Sequence, residues 1–417
     1  MKKIIGFFQE PLFLKILLFL IVGLRLFLFT FPSFKIDMGD WQAWASRINQ
    51  TGPLDFYLPG MLADYLPFFY LLLFIFTKIF VFIFNSQAIF SQAFDLYIRL
   101  ISNSFDFLTA YLIYKILKNH NSKWGFLAGL LYLVNPAVIF NSSVWGQTDS
   151  IPTFFFISAI YFLNERKKAA AWSIGSALSL LVKPLNVAAM PVTGVRLLKN
   201  FSLREIILAA IFAVLIFFLV TVPFFIKDPL FGIFGHLLNS LSVYPYTSLN
   251  AYNFWSLAVG WWKPDSGLFW GISYHFLGYI IFFLILGITL IPYVKIKGRF
   301  ELDYFAAAVS TFAFFLFLTR IHERHLFPLF SLLIISAFLF RSKFLLFSYV
   351  AVSVINFFDL FYSYYYYNFV YQNPLSANNF LFLISLNFAN LFALVLLFLF
   401  AFIFILYMRT AFLKPEK

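Results

Sequence analysis

Four carboxylates stand in a stretch of an otherwise apolar chain. Between Ser33 and Pro67 the sequence reads SFKIDMGDWQAWASRINQTGPLDFYLPGMLADYLP, with Asp37, Asp40, Asp55 and Asp64. These are four of only 17 acidic residues in 417, and 62% of the chain is hydrophobic. Apolar runs flank the stretch on both sides, and charge beside a bilayer is expensive enough to mark working sites. A carboxylate there suits general-base chemistry, taking the proton from a hydroxyl as its oxygen attacks. Asp40 is the first candidate. Around it, Trp41, Trp44, Arg47 and Ile48 have the spacing of an amphipathic interfacial helix that starts near Asp40. The bland alternative is a helix cap, which Asp also favours. Asp37 and Asp64 come next, as substitute base or as ligands to a sugar or acceptor. Asp64 and Tyr65 open a second segment of the same kind, an Asp at the mouth of an apolar helix started by Pro67.

Other polar groups recur at helix junctions. In NPAVIFNSSVWGQTDS a helix ends, turns through Trp145, Gly146 and Gln147, and restarts at Asp149. Turn chemistry and a cap account for this pattern, and so do sugar stacking on Trp145 and hydroxyl bonds to Gln147. Lys183 precedes Pro184 at the end of a short helix, either as a snorkelling cation or as a partner for a lipid phosphate. His322, Glu323, Arg324 and His325 are the densest polar cluster at any junction. HERH lacks the HExxH spacing of zinc proteases, but a cationic pair at a helix start suits an oxyanion or phosphate. Asn250, Tyr252 and Asn253 among aromatics suit a carbohydrate-lined cavity. Arg25, Arg99 and Asp106 lie inside apolar runs and read as structural contacts within the bundle. No phosphate-cradling glycine loop and no DxD triplet is present, which argues against a nucleotide-sugar donor.

The elements that must position these groups are membrane helices. A mean hydropathy of +0.88 with 11% charged residues predicts an all-α, polytopic integral membrane protein. The residues form one membrane domain, 1–417, with a catalytic loop at 33–95, a second large outer loop at 227–268 and no soluble C-terminal domain. Most of the 30 basic residues fall in clusters: Lys2/Lys3, Lys115/Lys118/Lys123, Arg166/Lys167/Lys168, Arg196/Lys199/Arg204, Lys295/Lys297/Arg299, Arg341/Lys343 and Arg409/Lys414/Lys417. Such clusters mark cytoplasmic loops and explain the net charge of +13 without nucleic acid. About twelve crossings follow, near 11–31, 96–117, 124–141, 148–164, 169–183, 185–198, 205–226, 269–294, 302–320, 324–340, 344–362 and 379–408. Both termini are then cytoplasmic. Parity and Lys78 make 66–84 a helix lying in, or dipping into, the outer leaflet. The candidate residues all fall on the outer face. The absence of cysteine excludes a disulfide framework.

In their order along roughly residues 10–340, GDWQAWA, ADYLPFFY, FDFLTAY, NPAVIFNSSVWGQTDS, KP, NAYNFW and HERHLFP resemble the GT-C superfamily of lipid-phosphate-sugar glycosyltransferases. The closest likeness is to prokaryotic mannosyltransferases related to the GPI-anchor second mannosyltransferase. The dolichyl-phosphate-glucose glucosyltransferases are a more distant likeness. The resemblance implies a polyprenyl-phosphate-sugar donor and inverting transfer on the outer face. Asp40 is then the base, and the HERH segment lies by the donor phosphate. Two departures stand out: DYLP where relatives have DYPP, and no large C-terminal domain.

The expectation is a mannosyltransferase of a prokaryotic plasma membrane, serving envelope glycosylation. Its partners are the lipid-linked donor, membrane lipids and a glycolipid, glycan or protein acceptor. No cofactor is named by the residues, and a divalent metal is left open. The competing readings are a lipid-linked sugar flippase or transporter, and another membrane transferase such as an O-antigen ligase. A transporter expects polar residues through to both faces and an internal repeat; here the polar residues pile up on one face and no repeat is visible.

Overall fold

The structure, a computed structural model, describes residues 11–412 except 58–60, 121–123, 227, 229–230 and 296–298. Of the expected basic clusters, Lys2, Lys3, Lys123, Lys297, Lys414 and Lys417 lie outside the described residues. Helices in chain order are α1 Leu12–Leu28, α2 Lys35–Thr51, α3 Pro67–Phe84, α4 Gln92–Asn119, α5 Gly125–Leu133, α6 Pro136–Trp145, α7 Ser150–Arg166, α8 Ala169–Val182, α9 Met190–Asn200 and α10 Leu203–Thr221. They continue with α11 Phe231–Ser242, α12 Phe254–Ala258, α13 Tyr274–Lys295, α14 Glu301–Phe317, α15 Phe327–Leu339, α16 Lys343–Tyr365, α17 Phe380–Asn387 and α18 Ala389–Phe412. One two-residue hairpin, Leu268–Phe269 with Ile272–Ser273, is the only sheet among the described residues.

Five of these helices are long and apolar enough to cross a bilayer: α3, α10, α13, α16 with its extension to Val370, and α18. A sixth arises if α5 and α6, bent by 50° at Asn135-Pro136, count as one. The other expected crossings, α4 apart, are helices of 17 residues or fewer. In α4 the buried Arg99, Asn103 and Asp106 lower the hydropathy. The expected single span 379–408 is two helices, α17 and α18, separated by Phe388.

α1 runs antiparallel to α4 and meets it through buried polar groups. Arg25, in the last turn of α1, bonds Asn103 and Asp106 at 2.7 Å each. Just past α1, the Phe31 carbonyl accepts from Arg99. Further along, α1 packs chiefly on α5 and α6, and a cavity lined by Leu18, Phe107, Tyr111 and Tyr114 lies between it and α4. α3 runs antiparallel to the first half of α4. Its Phe68 meets Phe155, which touches Phe105, while Phe80 packs on Phe94 and Tyr97. The aromatic contacts of α3 are with the first half of α4, and by length and composition α3 is one of the five helices able to cross a membrane.

Basic clusters gather at the opposite end. There His120 pairs with Glu165 and stacks on Phe300, Arg196 pairs with Asp303, and Arg299 donates to the Thr410 carbonyl. The carboxylates of the 33–67 stretch lie at the other end. A core running from Ile21 to Ala411 joins the bundle, and a second cluster packs α2 and α3 onto it through Trp41, Trp44, Phe69 and Tyr70.

Candidate functional site

The site is built on a helix start. Phe34 donates its N–H to the Trp145 carbonyl and packs its ring 4.3 Å from that of Trp145. The Lys35 N–H is satisfied by Asn368 Oδ1 at 3.0 Å. From there α2 buries Met38, Trp41, Trp44, Ala45 and Ile48, spaced as one helical face. Asp37 and Asp40, three apart and so neighbours on the surface, remain beside that face. Since α2 begins at Lys35, Asp40 is not its cap; the capping alternative fails.

Trp145 and Gln147 come from a widened turn, in which Asn141 O accepts from both Gly146 N and Gln147 N. Gly146 has φ +89°, and a Cβ there would lie 3.1 Å from Arg99 and 3.3 Å from Met38. The turn therefore requires glycine. It aims Trp145 Nε1 at Asp37 Oδ2 (2.8 Å) and Gln147 Nε2 at the same oxygen. Gln147 Oε1 accepts from Tyr65 Oη at 3.1 Å.

Asp149 precedes α7 but makes no side-chain cap; it holds Lys183 Nζ at 2.7 Å instead. Lys183 ends α8 in extended backbone and lies 5.1 Å from the centre of the Tyr65 ring. The HERH segment is positioned by strand-like pairing: Arg320 N donates to Tyr246 O and Leu249 N to Ile321 O, each at 2.9 Å. Asn356 then pins the Glu323 carbonyl. Arg324 lies over the Trp145 ring at 5.9 Å and 3.5 Å from Glu323. Trp145 thus joins Asp37 to Arg324. A cavity of about 210 Å³ is lined by Asp64, Tyr65, Lys183, His322, Arg324 and His325. Leu237, Tyr279, Phe314 and Leu318 supply apolar surface.

Burial, then the Asp37 and Asp64 charges, push Asp40 up to about 6 against the pull of Arg324. Burial also raises Asp64, opposed by Arg324 and Lys183. Glu323 is pushed up to about 7, again by burial first. Burial works against the charge of Arg324, but Asp37 and Glu323 outweigh it and raise its pKa. The histidines correct an expectation. Burial, together with Arg324 and Lys183 nearby, lowers His322 and His325 well below the usual histidine range. They are neutral imidazoles at pH 7, so the cations here are Arg324 and Lys183.

The second large loop contributes differently from expectation. Tyr252 is fully buried, its N–H on Asp359 and its hydroxyl on the Ser385 carbonyl. Asn253 caps α12 through Ser256 and reaches the Phe315 carbonyl. Both serve packing rather than the cavity. Asn250, in the left-handed region at φ +65°, accepts from Trp262 and bridges to His322 through backbone only. Asp55 is exposed, and its carbonyl accepts from Arg47. Among the described residues no group of three or more His, Asp or Glu is placed to hold a metal ion.

Sequence reasoning missed a cluster on the same cavity. Arg320 Nε meets Asp265 Oδ2 at 2.7 Å, Thr319 Oγ1 lies 3.2 Å from that oxygen, and His275 Nδ1 lies 2.8 Å from Thr319 Oγ1. Arg320 stands two residues before His322, so TRIHERH held part of the signal; Asp265, 55 positions away in an ordinary turn, gave none. No protein-family model matches the chain, and no curated protein matches it significantly.

Proposed function

We propose that this chain is a membrane glycosyltransferase that moves a sugar from a polyprenyl-phosphate donor to an acceptor hydroxyl. The observation that carries the reading is the joining of carboxylates and cations through Trp145. Asp37 sits on its indole N–H, Arg324 sits on its face, and Asp40 stands one turn from Asp37 with its acidity shifted toward neutral. A general base works best with a pKa near the operating pH. In the reaction, Asp40 takes the hydroxyl proton as the acceptor oxygen forms its bond to the anomeric carbon. The bond to the phosphate oxygen breaks on the opposite face and the electron pair leaves with the lipid phosphate. Arg324 and Lys183 stabilise the charge that grows there. Asp64, on the cavity, suits a sugar hydroxyl, and Gln147 holds Asp37 and Tyr65 in place. Mannose is the sugar favoured by the sequence resemblance, as are the outer face of a prokaryotic plasma membrane and inversion at the anomeric carbon.

The test is direct. Purified protein is incubated with a panel of polyprenyl-phosphate sugars and detergent-extracted membrane acceptors, and free polyprenyl phosphate is measured. Release from one donor, dependent on Asp40, is expected. Folded protein that releases lipid phosphate from no member of the panel removes this reading.

A further inference from the structure

The cavity is lined by three basic side chains, and each is backed by a buried acid. Lys183 is held by Asp149, Arg324 lies beside Glu323, and Arg320 is held by Asp265. The acids are 0%, 1% and 3% exposed, while all three cations line the cavity. The acids are packed away from the cavity, whereas each of the three basic residues contributes to its lining. One phosphate at Lys183 and Arg324 leaves the third pair unexplained. Arg320 is also held in the left-handed backbone region, φ +64°, which a residue with a Cβ adopts only under constraint.

Lys183 and Arg324 lie next to the carboxylates through Tyr65 and Trp145. His275, beside Arg320 and Thr319, contacts Tyr279 one turn further along α13. Tyr279 also lines an open apolar groove with Phe276, Ile280 and Phe283. Arg320 and Arg324 are four residues apart, so their Cα atoms are separated by at most about 14 Å. That suits two phosphates on two neighbouring substrates.

Resting on the reading above, we propose that Arg320, with Thr319 and His275, forms a second anion site for a lipid-linked phosphate, separate from that at Lys183 and Arg324. The phosphate has two sources: the diphosphate of a lipid-linked acceptor, or the headgroup of an anionic acceptor phospholipid. Both leave the apolar chain directed to the groove at Tyr279. Asp265 is a positioning residue, fixing the guanidinium from behind.

The experiment measures binding by the full chain in nanodiscs of neutral phosphatidylcholine. The probes are polyprenyl monophosphate, polyprenyl diphosphate and a short-chain phosphatidylglycerol, used with wild type, Arg320→Gln, Arg320→Lys and Arg324→Gln. Charged hydrogen bonds of this kind are worth about tenfold to a hundredfold in affinity. The expected result is that Arg320→Gln loses about that factor for the diphosphate or for phosphatidylglycerol and keeps its monophosphate affinity. Which of the two probes is affected identifies the source. Arg320→Lys keeps the charge and recovers part of the binding, which a folding defect does not. Arg320→Gln and wild type binding all three probes equally, or Arg320→Gln losing all three equally, overturns the proposal. Arg324→Gln with unchanged monophosphate binding removes the donor site of the preceding section and leaves this one standing.

Discussion

Arg25–Asp106 and Lys183–Asp149 are both buried ion pairs at 2.7 Å, and only one of them opens on space. Arg25 spends its donors within the bundle: on Asp106, on Asn103 and twice on the Leu133 carbonyl, while Tyr132 reaches the far oxygen of Asp106. That pair ties α1, α4 and α5 together. Around Lys183 the wall of the cavity is polar, and Arg324 Nε, close by, is buried without a hydrogen-bond partner. The fold saturates one charge and leaves the other something to bind. Burial of charge therefore says little by itself; what remains unsatisfied beside it is the informative quantity.

The largest expected effect belongs to Asp40. Turnover of Asp40→Asn should fall by about 10²–10⁴-fold, the usual range for a general base, with donor binding retained. Its fold should not suffer. A carboxyl raised to about 6 contributes stability that is present at low pH and lost as pH rises through 6. A permanently neutral Asn is thus no less stable than wild type at pH 7.5, which a melting curve checks.

The contrasting pair breaks differently. Arg25→Met strands a buried Asp106 and should destabilise by about 3–5 kcal/mol, whereas Arg25→Met with Asp106→Leu recovers most of that. Turnover per folded molecule should be unchanged in both. If Arg25→Met lowers turnover in folded protein as Asp40→Asn does, the distinction drawn here collapses.

Arg324→Gln comes next, with a loss of about tenfold to a hundredfold in kcat/KM for the donor, given that charged hydrogen bonds contribute roughly 1.5–3 kcal/mol. The pH profile of kcat/KM should rise to a plateau with a midpoint near 6, set by Asp40. Asp40→Asn should flatten that limb. The smallest effect is expected for His325→Gln. A neutral imidazole offers an ordinary hydrogen bond of about 1 kcal/mol, and a loss beyond about tenfold would show that it is charged after all.

Much of this was legible because polar residues are conspicuous in an apolar chain. Asp37, Asp64, Trp145, Gln147, Asp149, Lys183 and Arg324 stood out individually, and parity put them at one end. Their bonding was not legible: Asp37 to Trp145 and Lys183 to Asp149 span 108 and 34 residues. No spacing rule connects such positions. The charge state of His322 and His325 depends on burial that only the packed bundle supplies. Asn253 is the reverse case. Asn253 and Ser256 cap each other, a local pattern that was present in NFWS and passed over in favour of a sugar site. Crossing number was hardest, because helices near 17 residues and a break at Phe388 give hydropathy no clean period to follow.

The widened turn at Asn141–Gly146 sets a phase. A regular helix advances 100° per residue, and this turn takes five residues back to its acceptor where an α-helix takes four. Trp145 and Gln147 face Asp37 only because that one residue is accommodated before Gly146. A chain one residue shorter at Ser142 or Ser143 would close an ordinary turn with equal ease, and would rotate the indole by about 100° away from both Asp37 and Arg324. The register of the site is kept by a count of residues, so its chemistry is more sensitive to a deletion there than to many substitutions.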